Sequence, residues 1–539
     1  MTKGYFPDRV IPPVNSLALS AAITDILAYI RPKATNILNR VKDAAFPRGR
    51  CVTQSVPKRK HSRRTLSIPN PLHQSVLADE IATNWHDLES FCAKSPISLS
   101  APIKGTDRAL QAKHDLSKQP LFRVQQSVGA RYLLTTDIAR YYPSIYTHSI
   151  PWALHGKTQA RSDKKYKLTG NRLDLWLRET QDKQTGGIPI GSDSSFLIGE
   201  ILGTALDMEL QSKLPSLRGA RSIDDYYLYF ATQSDAERGL AAFHEVARQF
   251  ELEINDSKTE IIQLPERLEP PWKSDLRRLI IRESGQAQAT DLLTLFDNAF
   301  QHAQKFPSDS VLTYAAKQTL TANITEENWG FCEGLLLKAA LAEPSMLSVL
   351  VDLYEKYAAY HTGNDALSAT IESICSYHAP LQQGNEVAWA LWLAKKMNIS
   401  IQKTVGDRIA RLDDDVVALI ALDMNNLGLL DASGFTKWRS YMTAGNLYEN
   451  HWLIAYEALE QGWLPSKSGS DYIESDDFFS ILRSNNVRFY GAAIVDTASF
   501  FEYDADEDDL SGDGDDEELL IEEDDEPSDN SDHDELLTE

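Results

Sequence analysis

Hydrophobic periodicity changes character about halfway along this chain of 539 residues. Two short apolar runs rich in strand formers, RYLLTTDI (131–138) and LYFAT (228–232), alternate with segments at helical spacing, 194–210 and 235–250, the latter opening with Asp235 as its cap. After about residue 285 the strand patterns fade, and amphipathic helices follow one another to about residue 490. The order strand, helix, hairpin, helix, strand predicts a mixed sheet with helices on one face, followed by an all-helical region.

The helical region carries apolar stripes of the kind that neighbouring helices bury. In SMLSVLVDLYEKYAAY (345–360), the apolar residues recur at the spacing of a single helix face, and EVAWALWLAKKM and HWLIAYEALEQGWL are rich in aliphatic and aromatic side chains. We interpret the region as a helical-repeat array. A plain helical bundle is the alternative, because no fixed repeat period is evident.

The length of the chain is too great for a single hydrophobic core and predicts two to four domains. We predict the α+β class. The predicted boundaries are an N-terminal region at 1–125, a mixed sheet domain at 126–275, an α-helical repeat domain at 276–500 and a disordered acidic tail at 501–539.

The net charge of −24 is concentrated at the C-terminus, because 21 Asp and Glu residues and no Lys or Arg lie between residues 502 and 539. The preceding residues therefore carry only −3. Residues 1–150 hold 21 Lys and Arg against 10 Asp and Glu, with a dense basic run at 57–64, PKRKHSRR. This run is either a solvated surface or a basic patch that serves a site for anions. The acidic tail either improves solubility or occupies the basic cleft.

Targeting and redox features are sparse. No run of about 18 apolar residues is present, and the first ten residues lack the layout of a signal peptide, so we expect a cytoplasmic protein without a membrane partner. The four cysteines, Cys51, Cys92, Cys332 and Cys375, form no C-x-x-C pair. This spacing speaks against a zinc ribbon or a disulfide framework and predicts reduced, buried thiols.

Three carboxylates are the candidates for chemistry. Asp224 and Asp225 lie between two strand-like runs, where an Asp pair is most often a hairpin turn. Asp137 ends an apolar strand upstream. If the two strands are neighbours, Asp137 and Asp224 meet at one edge of the sheet, and such carboxylates are compatible only with a hard divalent cation between them, Mg²⁺ or Mn²⁺. Two such ions are what nucleotidyl transfer uses, and we assign Asp137, Asp224, Asp225 and Ile138 to metal binding.

Five short motifs in this order resemble the fingers and palm of reverse transcriptases. They are RRTLSIPNPLHQ (63–74), DIARYYPSI (137–145), GGIPIGSDSS (186–195), SIDDY (222–226) and INDSKTEI (254–261). Each motif alone is weak evidence, but the five in sequence form a specific pattern. The resemblance implies a DNA polymerase whose catalytic residues are Asp137, Asp224, Asp225 and Lys258.

The same resemblance implies a nucleotide-binding set. Tyr142 is an aromatic gate against the 2′ hydroxyl, although it is alternatively a core tyrosine and is easily confused with Tyr141. Lys258 acts as a general acid near the pyrophosphate, or is merely solvated. The candidates to contact the triphosphate with a cationic fork are Lys60, Arg63 and Arg64. The candidates to shape a loop whose backbone can approach the nucleotide closely are Gly187, Pro189 and Gly191.

Two positions depart from the reverse-transcriptase pattern. Ser222 stands where the family usually has tyrosine, and Ile190 stands where it has a glutamine that helps to seat the template. Both departures weaken the expectation of faithful template copying, whereas neither removes a predicted metal ligand.

A narrower resemblance, carried by residues 137–157 and by the helical segments, is to the abortive-infection and related defence-associated reverse transcriptases of bacteria, which join such a core to helical repeats. It implies antiphage defence, deoxynucleotide substrates, a DNA product and homo-oligomers. It also implies DNA synthesis that in some members needs no template, is primed from a protein hydroxyl or involves a non-coding RNA. The alternatives are a conventional RNA-templated reverse transcriptase and an inactive RNA-binding scaffold.

Overall fold

The computed structural model describes residues 5–8, 10–42, 44–59, 62–105, 108–283, 285–361 and 363–491. Lys60 and the acidic tail at 501–539 lie outside these ranges. The predictions made for them therefore stay predictions.

The N-terminal region combines helices with two small hairpins. Its elements are α1 (Ile23–Leu38), β1 (Val52–Arg59), β2 (Ser62–Ile68), α2 (Pro71–Thr83), α3 (Trp85–Cys92), β3 (Pro102–Lys104), β4 (Leu110–Ala112) and α4 (Gln119–Ser127). Strands β1 and β2 pair in antiparallel fashion with an irregularity between Pro57 and Arg59, and β3 pairs with β4 in the same way. The described residues of the basic run, 57–59 and 62–64, thus lie on the two paired strands of a β-hairpin.

The central region contains the predicted sheet and its helices. Its elements are β5 (Tyr132–Asp137), α5 (Tyr141–Ser144), α6 (Ser149–His155), α7 (Lys157–Ser162), α8 (Thr169–Glu179), α9 (Asp193–Lys213), β6 (Gly219–Ser222), β7 (Asp225–Phe230), α10 (Gln233–Gln249), β8 (Glu260–Gln263) and α11 (Pro271–Arg277). The strand order is β6-β7-β5-β8, and every neighbouring pair is antiparallel. The prediction of a mixed sheet is therefore wrong, because each of these strands runs opposite to its neighbours.

Helices cover one face of this sheet, as the sequence pattern predicts. Leu134 and Leu228 point into the main core with Phe243 of α10, whereas Leu133 and Tyr227 form a small separate cluster on the opposite face. Because side chains alternate along a strand, Asp137 and Asp225 lie on the face of that small cluster, away from the helices.

Helix boundaries differ slightly from the sequence interpretation. Helix α10 begins at Gln233, and its cap is Thr232, whose hydroxyl accepts a hydrogen bond from the Asp235 N–H at 3.2 Å. Asp235 is therefore not the cap. It lies in the first turn, where its negative charge interacts favourably with the helix dipole. Helix α9 is buried on most of its sides, because it packs against several other helices.

The C-terminal region is entirely helical within the described residues. Its helices are α12 (Gly285–Lys305), α13 (Val311–Thr321), α14 (Glu326–Ala342), α15 (Leu347–Lys356), α16 (Asp365–His378), α17 (Gly384–Lys396), α18 (Lys403–Ile409), α19 (Asp415–Asn426), α20 (Thr436–Arg439), α21 (Trp452–Glu460) and α22 (Phe479–Ser484). Helices two apart pack together, α12 on α14 and α14 on α16, with α13, α15, α17, α19 and α21 forming a second row.

The helical region holds the N-terminal hairpin directly. Helices α17 and α19 pack on β1, and Arg63 of β2 forms a two-bond ion pair with Glu386 of α17, with N–O distances of 2.7 and 2.8 Å. The Trp452 indole N–H of α21 also donates to the Ile68 carbonyl at 3.3 Å. The hairpin is therefore anchored to residues more than 300 positions away along the chain.

All four cysteines are unpaired; Cys92, Cys332 and Cys375 are buried, whereas Cys51 is half-buried. Among the helices of the described ranges, none is long and apolar enough to cross a membrane.

Candidate active site

Three acidic residues meet where the central strands β5 and β7 end and begin; we call this end of the strands the sheet edge. Asp137 is the last residue of β5 and faces Asp225, the first residue of β7, in the antiparallel register. Asp224 and Ile223 form the two-residue turn that joins β6 to β7. The prediction that β5 and the hairpin are neighbours is correct, and it brings Asp137 beside the Asp pair.

The turn contains an unusual backbone conformation. Ile223 has a φ of 55°, in the left-handed region that β-branched residues rarely adopt. Such a conformation persists only where surrounding contacts enforce it, and residues of this kind concentrate at functional sites. The observation directs attention to what holds Ile223.

A buried charge cluster behind the sheet holds the turn. Arg221 of β6 is fully buried and bonds both Glu200 and Asp207 of α9, at 2.9 and 2.8 Å. Its guanidinium also donates to the Ile223 carbonyl at 2.8 Å, and the Ile223 N–H donates to the Ser100 hydroxyl at 2.8 Å. Both polar backbone groups of Ile223 are thus fixed by side chains from other elements.

The cluster is closely packed and largely hydrogen-bonded, although Asp207 Oδ1 is buried without a hydrogen-bond partner among the described residues. The Ser100 hydroxyl donates to Glu200 at 2.6 Å, Ser98 donates to the other Glu200 oxygen at 3.0 Å, and Ser95 donates to Asp207 at 2.5 Å. Gly203 of α9 leaves the space for the guanidinium, because a Cβ there would lie 2.6 Å from its central carbon. Burial alone would lower the pKa of Arg221, but the adjacent Asp207 and Glu200 carboxylates outweigh it and raise the pKa well above its usual value, so Arg221 stays charged.

Sequence reasoning missed this cluster. Its signal is nonetheless visible in the printed sequence: Glu200 and Asp207 are the acids within the apolar run SSFLIGEILGTALD, and their spacing of seven residues places them on the same helix face. Two acids buried on one face of a helix require a cationic partner, and the nearest candidate in the neighbouring strand is Arg221.

The acids at the sheet edge are coupled to one another and to two cations. Burial and the nearby Asp137 carboxylate raise the pKa of Asp224 to about 6, while Lys258 and Arg64 oppose the rise. Lys258 Nζ lies 3.0 Å from Asp137 Oδ2, whereas Asp137 Oδ1 is buried and has no hydrogen-bond partner among the described residues. The edge therefore concentrates negative charge that nearby cations offset only in part.

The residues present fit a divalent cation at the Asp137–Asp224 pair. Asp137 Oδ1 is a buried acceptor without a donor, and its neighbour Asp224 is held close enough for mutual repulsion, which is the arrangement that a hard cation relieves. Within the described ranges, however, no three His, Cys, Asp or Glu side chains are grouped closely enough to hold a metal ion. The Ile138 side chain is buried in the core, so only its backbone carbonyl is available as a ligand. The three-acid set and the second ion stay predictions.

The two adjacent tyrosines have different surroundings. Tyr141 is buried, and its hydroxyl donates to the Gly199 carbonyl of α9 at 2.6 Å. Tyr142 is half-buried and packs edge-on against Tyr141, with the ring centres 5.5 Å apart. Of the two, Tyr141 is the core tyrosine, which leaves Tyr142 as the one with a solvent-facing surface.

The glycine loop lies next to Tyr142. The Ile188 N–H donates to the Tyr142 carbonyl at 3.0 Å, and the Gly187 N–H donates to the Ile145 carbonyl at 2.8 Å. Gly187 has a φ of 80°, and a Cβ there would approach the Pro143 carbonyl at 3.1 Å, so glycine is needed. Gly191 also has a left-handed φ, and Pro189 between them is buried.

The predicted cationic fork divides into two parts. Arg63 is engaged by Glu386 and by the Ser55 hydroxyl at 2.6 Å, so it is a structural contact to the helical region. Arg64, whose side chain alternates to the other face of β2, is half-buried and close enough to Asp224 to lower that residue's pKa. Of the two, only Arg64 belongs to the surroundings of the acids.

Comparisons with known proteins yield distant likenesses. No protein-family model matches the chain, and no curated protein matches it. Apo telomerase from Candida tropicalis is similar over 69% of this chain and 71% of its own, with 10% identity and a TM-score of 0.32. A form of that enzyme truncated from the C-terminal domain shares 11% identity over 44% of this chain, which spans only 56% of that chain, with a TM-score of 0.30. Telomerase from Candida albicans, in complex with a fragment of telomeric RNA, covers 67% of each chain with 10% identity and a TM-score of 0.28. Likenesses this distant decide neither fold nor function, which rest on the geometry of the sheet edge.

Proposed function

We propose that this protein is a DNA polymerase of the reverse-transcriptase type, which adds deoxynucleotides to a growing strand and acts in bacterial antiphage defence without a conventional template. One observation carries the polymerase part of the proposal. The antiparallel pairing of Asp137 with Asp225 puts the Asp224 turn at the end of β5, beside Lys258 and Arg64. Acids on a rigid sheet edge with cations around them suit phosphoryl transfer, which depends on positioning and charge stabilisation.

Asp137 and Asp224 are the proposed holders of Mg²⁺ or Mn²⁺. The unpartnered Asp137 Oδ1 and the raised pKa of Asp224 support this assignment. A divalent cation bound there supplies charge neutralisation on the triphosphate and favours deprotonation of the attacking hydroxyl. The fixed Ile223 turn keeps Asp224 in place, because both polar backbone groups of Ile223 are held from the protein interior.

The chain's other side chains take roles around this pair. Arg64 is the proposed contact of the triphosphate, since its guanidinium lies near Asp224 and carries the fork that phosphates accept. Lys258 balances the charge of Asp137 through its contact of 3.0 Å and is the candidate proton donor to the leaving group. Tyr142 is the proposed barrier to a 2′ hydroxyl, and Gly187 allows the backbone to approach the nucleotide.

Two positions support synthesis without a conventional template. Ser222 is buried and accepts a hydrogen bond from the Gln119 amide at 3.3 Å, so no aromatic ring is presented at this position. Ile190 uses its carbonyl to accept the Ser67 N–H at 3.0 Å, and its aliphatic side chain offers no hydrogen bond to a template base. The role in defence and the priming from a protein hydroxyl rest on the resemblance of the motifs.

The test is an incorporation assay on the purified full-length chain. Labelled deoxynucleotides are supplied with Mg²⁺ or Mn²⁺, with and without an added RNA template, and the product is then treated separately with protease and with nuclease. The proposal predicts template-free product that nuclease degrades and that protease shifts in size. Product that strictly needs template would instead support a conventional RNA-templated reverse transcriptase.

The absence of any incorporation under all these conditions would support an inactive RNA-binding scaffold and would overturn the proposal. Expression in a bacterial host exposed to bacteriophage tests the defence part. The proposal predicts fewer plaques with the wild-type chain than with Asp224→Asn, and equal plaque numbers would contradict it.

A further inference from the structure

A second basic segment lies outside the run at 57–64. Residues 157–172, KTQARSDKKYKLTGNR, hold six Lys and Arg and a single acid, Asp163. Five of these cations, with Arg40 beside them, form what we call the α7 basic surface; it consists of Arg40, Lys157, Arg161, Lys164, Lys165 and Lys167. The sequence interpretation gave this segment no role.

The cations of this surface face solvent. Arg161, Lys164, Lys165 and Lys167 are exposed, and in the described part of the chain no acidic side chain lies within ion-pair distance of them. Lys157 is the exception, with Glu251 at 3.8 Å. A group of like charges this dense repels itself unless a polyanion is present.

The acid within the segment serves the backbone of the loop. Asp163 accepts hydrogen bonds from the Lys165 N–H at 3.0 Å and from the Leu168 N–H at 2.9 Å. The Arg40 side chain crosses from the end of α1 to bond the Lys164 carbonyl. The loop after α7 is therefore fixed in shape while its lysine side chains remain directed outward, which lowers the entropic cost of engaging a ligand.

The Trp152 ring lies beneath two of these cations, on the protein side of the surface. Lys157 Nζ lies 4.0 Å from the centre of the Trp152 ring, and Arg161 lies 5.7 Å from the same ring. Trp152 is only 9% exposed and packs on Tyr146. Because this ring is covered, it is not available to stack with a base, and the exposed cations of the surface suit a phosphate backbone.

Contacts of neighbouring segments connect this surface to the chain on either side of the candidate active site. The Ala139 N–H, two residues after Asp137, donates to the Glu253 carbonyl at 2.9 Å, and Glu251 of the same segment approaches Lys157. On its other side, Tyr146 pairs with Gly186 next to the glycine loop. The α7 basic surface is thus connected through residues 251–253 to the segment that follows β5, and through Trp152 and Tyr146 to the glycine loop.

We propose that the α7 basic surface binds the phosphodiester backbone of the nucleic acid strand that extends from the sheet edge, independently of its base sequence. The inference rests on the proposed polymerase function, because that function puts a strand end at Asp137 and Asp224. Single-stranded DNA and single-stranded RNA share this backbone chemistry, and both are used as probes.

The experiment measures binding in the absence of nucleotides and divalent metal. Fluorescence anisotropy of end-labelled DNA and RNA strands of the same sequence is followed over a series of salt concentrations. The variant is Lys164→Gln/Lys165→Gln/Lys167→Gln. The matched control, Lys305→Gln/Lys338→Gln/Lys467→Gln, removes the same charge from exposed lysines of the helical region.

We expect the α7 variant to bind about tenfold more weakly or worse, and the control to change affinity by less than about threefold. The slope of log affinity against log salt should become shallower by about 2 for the α7 variant, since each lost contact to a single strand removes about 0.7. A loss on both probes supports the proposal for either strand, and a loss on only one of them supports it and identifies which strand is bound. Equal affinities and slopes for the two variants would overturn it.

Failure of this inference is distinguishable from failure of the polymerase proposal. If Asp224→Asn and wild type both lack incorporation but the α7 variant still loses binding, the polymerase proposal fails and the surface stands. If incorporation is normal and the α7 variant binds like its control, the surface fails and the polymerase stands. Thermal unfolding of both triple variants controls for folding, and a second variant, Arg161→Gln/Lys165→Gln, gives an independent reading of the same surface.

Discussion

Arg221 and Glu200 form an ion pair with an N–O distance of 2.9 Å, and neither side chain has appreciable contact with solvent. The pair joins the strand before the Asp224 turn to the long helix α9. Because Arg221 also bonds Asp207 and the Ile223 carbonyl, a single guanidinium links the core to the turn that presents the candidate metal ligand.

Replacing Arg221 with Met should destabilise the protein strongly. The variant leaves Glu200 and Asp207 buried without their cation, and breaking a buried pair in this way costs about 3–5 kcal/mol. Urea denaturation measures the free energy of unfolding. The control is Arg238→Met, whose exposed pair with Asp235 contributes less than about 1 kcal/mol. Equal losses in the two variants would show that the cluster does not hold the fold.

Arg64 and Arg63 should respond differently to the same substitution. Arg64→Gln removes a charge near Asp224 and should raise the KM for deoxynucleotides by about 10–100-fold, the range for a lost hydrogen bond to a charged group. Arg63→Gln should leave KM within about threefold of wild type, because Arg63 is bound to Glu386.

Hydrogen exchange separates the structural role of Arg63 from a catalytic one. Arg63→Gln and Glu386→Gln should each speed amide exchange in β1 and β2, since both break the contact with α17. A larger effect on KM from Arg63→Gln than from Arg64→Gln would contradict these assignments.

Tyr142→Ala should relax the discrimination between deoxynucleotides and ribonucleotides. Removing the half-buried ring opens the space assigned to the 2′ position, and we expect the ratio of kcat/KM values for the two substrates to fall by about tenfold or more. The control Tyr141→Phe removes only the hydrogen bond to Gly199, so it should cost about 1 kcal/mol of stability without changing the ratio. An unchanged ratio in Tyr142→Ala would show that Tyr142 is not the barrier to a 2′ hydroxyl.

Glu457 should make stability depend on pH. Burial raises its pKa from 4.5 to about 8, so between these values the folded state holds one proton more than the unfolded state. The free energy of unfolding therefore falls as the pH rises through this window. Glu457→Gln keeps an oxygen that can accept the Phe489 N–H, and it should remove this pH dependence of stability. At pH 8 the variant should be more stable than wild type by on the order of 2–4 kcal/mol.

Urea denaturation of wild type and Glu457→Gln at a series of pH values measures this difference. The exposed Glu326→Gln serves as a control that should retain the wild-type pH dependence. Parallel curves for wild type and Glu457→Gln would contradict the prediction.

The sheet edge was predictable from sequence because its determinants are local. An apolar strand ending at Asp137 and a two-residue turn at Ile223–Asp224 require only strand propensity and turn chemistry, and their pairing follows from the shared buried face. The same local logic predicts α9 and α10 to within a few residues, with the cap of α10 misassigned to Asp235 instead of Thr232.

What sequence reasoning could not reach depends on contacts distant along the chain. The β1–β2 hairpin lacks a regular apolar alternation and contains Pro57, and it is supported by helices beyond residue 384. The engagement of Arg63 by Glu386 spans 323 positions, and no spacing rule connects the two. The charge cluster of Arg221 is predictable only in part. The two acids on one face of an apolar helix are visible in the sequence, but their cationic partner is not.

The most direct measurement of the central claim is deoxynucleotide incorporation by Asp137→Asn and Asp224→Asn, compared with Asp256→Asn as a nearby control. Each of the first two substitutions removes one charge from the coupled pair and should reduce incorporation by about a hundredfold to a thousandfold, as loss of a principal charge-stabilising group does. The α7 basic surface is unaltered in these variants, so their affinity for single-stranded nucleic acid should remain at the wild-type level or above. Asp256→Asn should incorporate at nearly the wild-type rate. Wild-type incorporation by Asp224→Asn would contradict the assignment of the sheet edge as the catalytic centre.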